Sequence, residues 1–208
     1  MEYYHFTNTE YGINNLVNRR IKASTLDNLN DPFEMLGIEL SNKAIRKSIK
    51  VMKSEMTKKF GILCFSKTWS NPVQWGHYAD NHRGLCLGFE IKKEDLKAVE
   101  YVSKRLNSNI IKNPEFPTTL LTTKFSHWRY EKEHRTVLEL SKFVKEGSLY
   151  FQGFNESLKL TKVIIGSESK LTREEVRKHL TELDNGVEII HARAAFKDFK
   201  IVTDRSKQ

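Results

Sequence analysis

The sequence is short of cysteine, proline and acidic residues, and it has no long apolar run. Its 208 residues include two cysteines, Cys64 and Cys86. Neither forms a C-x-x-C pair or has a histidine at metal-ligand spacing, which excludes a disulfide framework and a cysteine-based zinc site. Both lie in apolar runs, "GILCFSKT" and "RGLCLGFEI", and read as small buried hydrophobes. No apolar stretch approaches the roughly 20 residues of a membrane-spanning helix. The start, "MEYYHFTNTEYG", lacks the charged and apolar regions of a signal peptide. The expectation is a cytoplasmic chain in reducing conditions with no membrane partner. Internal repeats and low-complexity segments are absent as well.

The deficit of acid is an excess of base. Lys and Arg number 35 against 26 Asp and Glu, a net charge of +9, and the isoelectric point is near 9.4. Such a balance favours a polyanionic partner, nucleic acid first. One segment concentrates it. A helix capped by Ser41 and running to about Lys59 has Ile45, Ile49, Met52 and Met56 on one stripe. Lys43, Arg46, Lys47, Lys50 and Lys53 fall on the opposite side, where they would meet phosphates. The competing reading is a solvated face of good helix formers.

The remaining chain reads as strands with a few helices between them. "YYHFT", "IKAS", "GILCFSKT", "LCLGFEI", "RTVLEL", "SLYFQGF" and "LKLTKVIIG" are strands by composition, and "GVEIIHARAAFKDFKIV" supplies one or two more. Asn8 or Thr9 caps a helix through Ile13, Leu16 and Val17; Pro72 opens a short helix, "PVQWGHYAD"; and "LTREEVRKHLTEL" carries a Thr172-to-Glu175 capping box. This spacing predicts an α+β fold with a mixed, mainly antiparallel sheet and flanking helices. A single domain is expected over residues 1–203, with 204–208 as a flexible tail.

Four places combine polar or aromatic groups with elements that would hold them. In "YYHFT", His5 and Thr7 share a strand face. In "CFSKTWSNPVQWGHYADNHRG", Trp75, Tyr78 and Ala79 share a helix face; Trp75 suits packing on the sheet, whereas Tyr78 keeps a hydroxyl and a flat ring for stacking. In "NDPFE", Asn30 and Asp31 suit a turn stiffened by Pro32. In "YEKEHRTVLEL", a strand beginning at Glu131 would put Glu131 and Glu133 on one face, which either serves a positively charged reacting centre or forms an ion-pair ladder with Arg135.

Taken in order, "YHFT", "NDPFE", "CFSKTWSNPVQWGHYADNHRGLCLGF" and "KFSHWRYEKEHR" resemble a bacterial family, domain-of-unknown-function family 2971. More distantly the layout is similar to the ADP-ribosyltransferase superfamily. That resemblance implies two packed sheets, NAD as co-substrate and no metal. It implies that His5 binds the nicotinamide-side ribose, with Thr7, Asn30 and Asp31 near the cofactor, and that Tyr78 stacks on nicotinamide. Ser66 echoes a Ser-Thr-Ser strand motif, Glu133 matches the catalytic glutamate, and Glu131 would activate the acceptor. A carboxylate beside the sugar suits an oxocarbenium-like transition state.

Three functions follow as expectations. The first is an NAD-dependent ADP-ribosyltransferase or NAD glycohydrolase, with a toxin or phage-defence role and an inhibitory partner protein as that superfamily implies. The second is a non-catalytic nucleic-acid-binding module on the same fold, working through Lys43 to Lys53. The third is a metal-dependent nuclease using Asp31, Glu34, Glu131 and Glu133 as oxygen ligands.

Overall fold

The computed structural model describes residues 1–207. Its first half runs β1 (Glu2–Thr7), α1 (Thr9–Val17), β2 (Arg20–Ala23), α2 (Lys43–Lys59), β3 (Phe60–Ser66), α3 (Pro72–Tyr78), β4 (Leu85–Glu90), β5 (Lys97–Ala98) and β6 (Glu100–Val102). Its second half runs α4 (Phe116–Leu121), β7 (Thr123–Phe125), β8 (Glu133–Glu139), β9 (Val144–Glu146), β10 (Leu149–Gly153), β11 (Lys159–Ile165), α5 (Arg173–Arg177), β12 (Glu188–Ala194) and β13 (Ile201–Thr203). The fold is mixed α+β, with a mainly antiparallel multistranded sheet and smaller sheets. No helix among the described residues is long and apolar enough to cross a membrane.

The chain gathers into two compact units. Unit 1 comprises Met1–Ile21, Phe65–Asp95 and the chain from Gln152 onward, and unit 2 comprises Lys22–Cys64 and Leu96–Phe151. Within the segment expected as a tail, Arg205–Lys207 form a single 3₁₀ turn; its last residue, Gln208, lies outside the described residues.

In unit 1 the strands follow the order β13-β12-β11-β4-β1. Strands β1 and β4 pair antiparallel from Glu2↔Glu90 to Thr7↔Leu85, and β1 meets the end of β3 at Tyr4↔Ser66. The run Leu85–Phe89 of β4 is buried throughout, which explains its unbroken apolar composition: an interior strand covered on both faces has no wet side to alternate with. Strands β11 and β12 are parallel, and the crossover between them carries α5. One helix over "LTREEVRKHLTEL" is expected, but α5 stops at Arg177. A second capping box, Thr181 with Asp184, restarts the chain as a 3₁₀ turn, and Asp184 is anchored there by Arg19.

Trp75 lies at the centre of this unit. It is fully buried, in a cluster with Ala79, Cys86, Ile164 and Ile190, its ring edge-on to Phe6 at 5.2 Å and its indole N–H donating to the Trp69 carbonyl at 2.6 Å. After α3, three consecutive residues, Asp80, Asn81 and His82, take left-handed backbone with φ of 46°, 51° and 69°. This reversal brings Gly84 so close to β1 that a Cβ there would lie 2.2 Å from the Thr7 carbonyl oxygen. Glycine is required at that contact.

In unit 2, the Phe60–Cys64 part of β3 leads the order β3-β8-β5, β6 and β7 form a parallel pair, and β9 pairs with β10. Asn42, not Ser41, caps α2: its side chain accepts from the Ala44 N–H at 2.8 Å, while the Ser41 hydroxyl donates to Glu39. The apolar stripe of α2 packs as its spacing predicts, with Ile49 buried among Leu26, Met35, Ile38 and Ile62 and with Ile45, Met52 and Met56 around it. Burying one such aliphatic side chain contributes about 1.5–3 kcal/mol.

Candidate functional site

Glu133 begins β8, but Glu131 ends a 3₁₀ turn, Ser126–Glu131. The expected strand through both residues is therefore absent. Lys132 between them is left-handed, with φ 46°, and the two carboxylates meet one ammonium across this kink in place of the expected strand. The Lys124 ammonium donates to Glu131 Oε2 at 2.6 Å and to Glu133 Oε2 at 3.2 Å. Arg135, two residues along β8 on the same face, closes the other side of Glu133 with a two-bond fork at 2.7 and 3.0 Å. The rest of its guanidinium holds Glu34 at 2.9 and 2.5 Å and the Leu121 carbonyl at 2.7 Å. The ladder alternative is thus realised between Glu133 and Arg135. All five charged side chains are buried, Arg135 to 1 % exposure.

Electrostatics follow from this packing. Burial alone would push the Glu133 carboxyl up, but the Arg135 and Lys124 charges, with hydrogen bonds from Arg135 and the Cys64 thiol, bring its pKa down to about 2. Burial lowers the Lys124 ammonium while Glu133 and Glu131 raise it, and the carboxylates prevail. Burial also pushes up the Cys64 thiol, and the Glu133 charge adds to that. Tyr101 stays protonated at ordinary pH: burial and the two carboxylates hold its pKa at about 12, and its hydroxyl oxygen accepts from the Glu133 N–H at 2.8 Å. Glu133 is consequently ionised at neutral pH with both oxygens engaged, which suits it to an electrostatic part more than to taking up a proton.

The "NDPFE" turn delivers Glu34 to this cluster. Asp31 is 3 % exposed and accepts the Phe33 N–H at 2.9 Å, the stabilising role of a turn aspartate. Asn30 lies beside it, exposed. Met35 follows with φ 66°, a conformation that a bulky side chain adopts only where its surroundings compel it. Burial of Met35 on one side and the Arg135–Glu34 fork on the other supply that compulsion.

Unit 2 presents two features to solvent. The first is the far side of α2, where Lys43, Arg46, Lys47 and Lys50 are exposed. Arg46 is tethered to the Leu40 and Ser41 carbonyls at 2.6 and 2.7 Å. Lys53 is half-buried, with its ammonium 3.5 Å from the Glu34 carbonyl; it extends the basic face only in part. The second feature is a cavity of about 270 Å³ walled by the turn (Phe33, Leu36, Gly37), by Lys104 and Arg105 after β6, and by β7. Composition gives no signal for its rim, because an exposed phenylalanine looks like a buried one in sequence.

Unit 1 holds the other expected residues. Thr7 and Tyr78 line one cavity of about 730 Å³ with Asn8, Tyr11, His77 and Asp80. His5, half-buried on β1, lies edge-on to Phe65 at 6.2 Å between ring centres. Ser66 is 4 % exposed; its hydroxyl donates to the Thr68 carbonyl at 2.8 Å and approaches Gln74 at 3.3 Å, and so builds the turn that leads to α3. Thr7 and Tyr78 are brought together here, while Glu131 and Glu133 belong to unit 2. Asp31 and Glu34 are held by the turn and by Arg135, and among the described residues no group of three or more His, Cys, Asp or Glu is arranged to hold a metal ion.

Compared with protein-family profiles, curated proteins and solved structures, the chain matches none.

Proposed function

We propose that this protein binds nucleic acid through unit 2, with α2 lying against the phosphate backbone. The observation that carries this reading is the two-faced helix: its apolar stripe is consumed by the core, while Lys43, Arg46, Lys47 and Lys50 stand exposed on the other side and Glu55 is the single acid in its sequence. A stabilising role needs no such concentration of one sign, since like charges at i,i+3 and i,i+4 repel. Counterion release from phosphates offsets that repulsion on binding. The test is fluorescence anisotropy of labelled oligonucleotides across a salt series. Each lysine on a phosphate contributes roughly 0.7–0.9 to the salt slope, so changing Lys43, Lys47 and Lys50 together to Glu is expected to reduce the slope by about 2–3. An unchanged slope would remove α2 from the interface.

A second reading, NAD-dependent ADP-ribosyl transfer or NAD hydrolysis, is supported by Thr7 and Tyr78 sharing one cavity in unit 1. On that reading Tyr78 stacks on the nicotinamide ring and His5 and Thr7 orient its ribose, while Glu133 keeps the catalytic role that the resemblance implies for it. The engagement of both Glu133 oxygens ranks it second. Nicotinamide release from NAD that Glu133→Gln abolishes would promote it; absence of NAD binding would end it.

A further inference from the structure

The cavity in unit 2 has the chemistry of a slot for one flat ring. Its floor is tight and nearly dry: Thr123 is 3 % exposed, and a Cβ on Gly37 would lie 2.9 Å from the Thr123 side chain. Its rim is aromatic and wet, with Phe33 53 % and Phe125 42 % exposed. Two exposed rings at one cavity mouth make a contiguous apolar patch, the kind of surface that marks a binding site. The charge at the mouth has one sign. Lys104 and Arg105 are exposed there, Lys124 lines the wall, and no acid is among the described lining residues. The Arg105 guanidinium stands 5.8 Å above the Phe33 ring, close enough to share a stack with a planar guest.

Size narrows the guest. Pockets for drug-sized ligands run from roughly 300 to 1,000 Å³, and about 270 Å³ falls just below that range. A whole dinucleotide does not fit; a single base does, with its phosphate left at the cationic mouth. Aromatic walls accept any base face, so recognition here is of an unpaired base and not of a sequence. A stacked duplex keeps its bases out of reach of such a slot.

We propose that this cavity receives one unstacked nucleobase of a single-stranded nucleic acid between Phe33 and Phe125, with Lys104 and Arg105 on the flanking phosphate. The proposal rests on the nucleic-acid reading of unit 2 and adds to it a preference for single strands. Neighbouring architecture supports it: Phe33 and Leu36 belong to the strained turn that Arg135 pins through Glu34, so the slot wall is set before binding and loses little freedom.

The test uses the intact protein and a short single-stranded DNA carrying 2-aminopurine, whose fluorescence is quenched by stacking, beside the matching duplex. Phe33→Ala and Phe125→Ala are each expected to abolish quenching and to weaken single-strand binding about ten- to a hundredfold, with duplex binding unchanged. Both side chains are exposed, and unaltered melting curves confirm the fold. Phe199→Ala is the control, because Phe199 in unit 1 is fully exposed beside Lys200. Quenching that survives both cavity variants, or that is lost with Phe199→Ala instead, overturns the slot. If single strand and duplex bind equally and neither cavity variant matters, the slot fails while the α2 interface stands. If no oligonucleotide binds even at low salt, both fail together.

Discussion

The two units bury opposite things. At the centre of unit 1 stand Trp75, Cys86, Ile164 and their apolar neighbours; its ion pairs keep at least one partner in water, as in Arg19–Asp184 and where Lys162 lies between Glu2 and Glu188. Unit 2 has an apolar cluster under α2 and, beside it, a dry knot of three carboxylates and two cations. Apolar packing is stabilised by volume and tolerates any charge state. A buried ion knot is stabilised only while every partner is present and ionised, because each orphaned charge carries its full desolvation cost. Unit 1 should therefore be governed by shape and unit 2 by pairing.

The largest effect that can break this contrast comes from Arg135→Ala. It strands Glu34 in a dry site, leaves Glu133 to share Lys124 with Glu131, and is expected to cost about 3–5 kcal/mol at neutral pH by denaturant unfolding. Trp75→Ala in unit 1 should cost a similar about 3–5 kcal/mol through its cavity. Acidification separates the two. Protonating these carboxylates should restore part of the Arg135→Ala loss, whereas the Trp75→Ala loss stays constant. Equal behaviour at both pH values would erase the distinction.

An intermediate effect is the acid response of the unaltered protein. Glu133 is held at about 2 against an ordinary glutamate value of 4.5. A depressed folded-state pKa contributes stability that is complete above the unfolded value and disappears as pH falls toward the folded one. Hydrogen exchange should accordingly show β8 amides losing protection between pH 4.5 and about 2, ahead of the amides of β4. Simultaneous loss in both strands would mean that the knot does not control unit 2.

The smallest effect sharpens the contrast from the other side. Helix ends in both units are built alike, by Asn42 before α2 and Thr172 before α5. Asn42→Ala and Thr172→Ala should each cost about 1 kcal/mol in thermal unfolding. Matching losses would locate the difference between the units in their centres. A loss well above about 2 kcal/mol at Asn42 would show that α2 orders more of unit 2 than its own first turn.

What the sequence discloses and what it hides follow the same division. The α+β class, the β4 strand, the two-faced α2 and the buried Trp75 are legible because hydrophobic period and composition report local burial. The Glu131–Glu133 geometry is not, because one left-handed residue, Lys132, ends the strand period between them. Nor is Glu34, whose partner is 101 positions away. Asp31 and Ser66 look like ligand groups in sequence, yet both satisfy backbone in turns. Polar residues at chain reversals compete for local hydrogen bonds, and composition does not separate that use from chemistry. Phe33 and Phe125 are hidden for the opposite reason: aromatic rings are assigned to the interior by default.

The two cysteines fall one to each unit, Cys86 inside the β4 core and Cys64 against Glu133. Desolvation raises both thiols, and only Cys86 is also fully buried; Cys64 is partly exposed. A thiol-reactive reagent in excess then acts as a clock with two hands. Labelling at Cys64 follows a thiol already partly in reach, whereas labelling at buried Cys86 waits for the β4 core to open and reports the frequency of that opening.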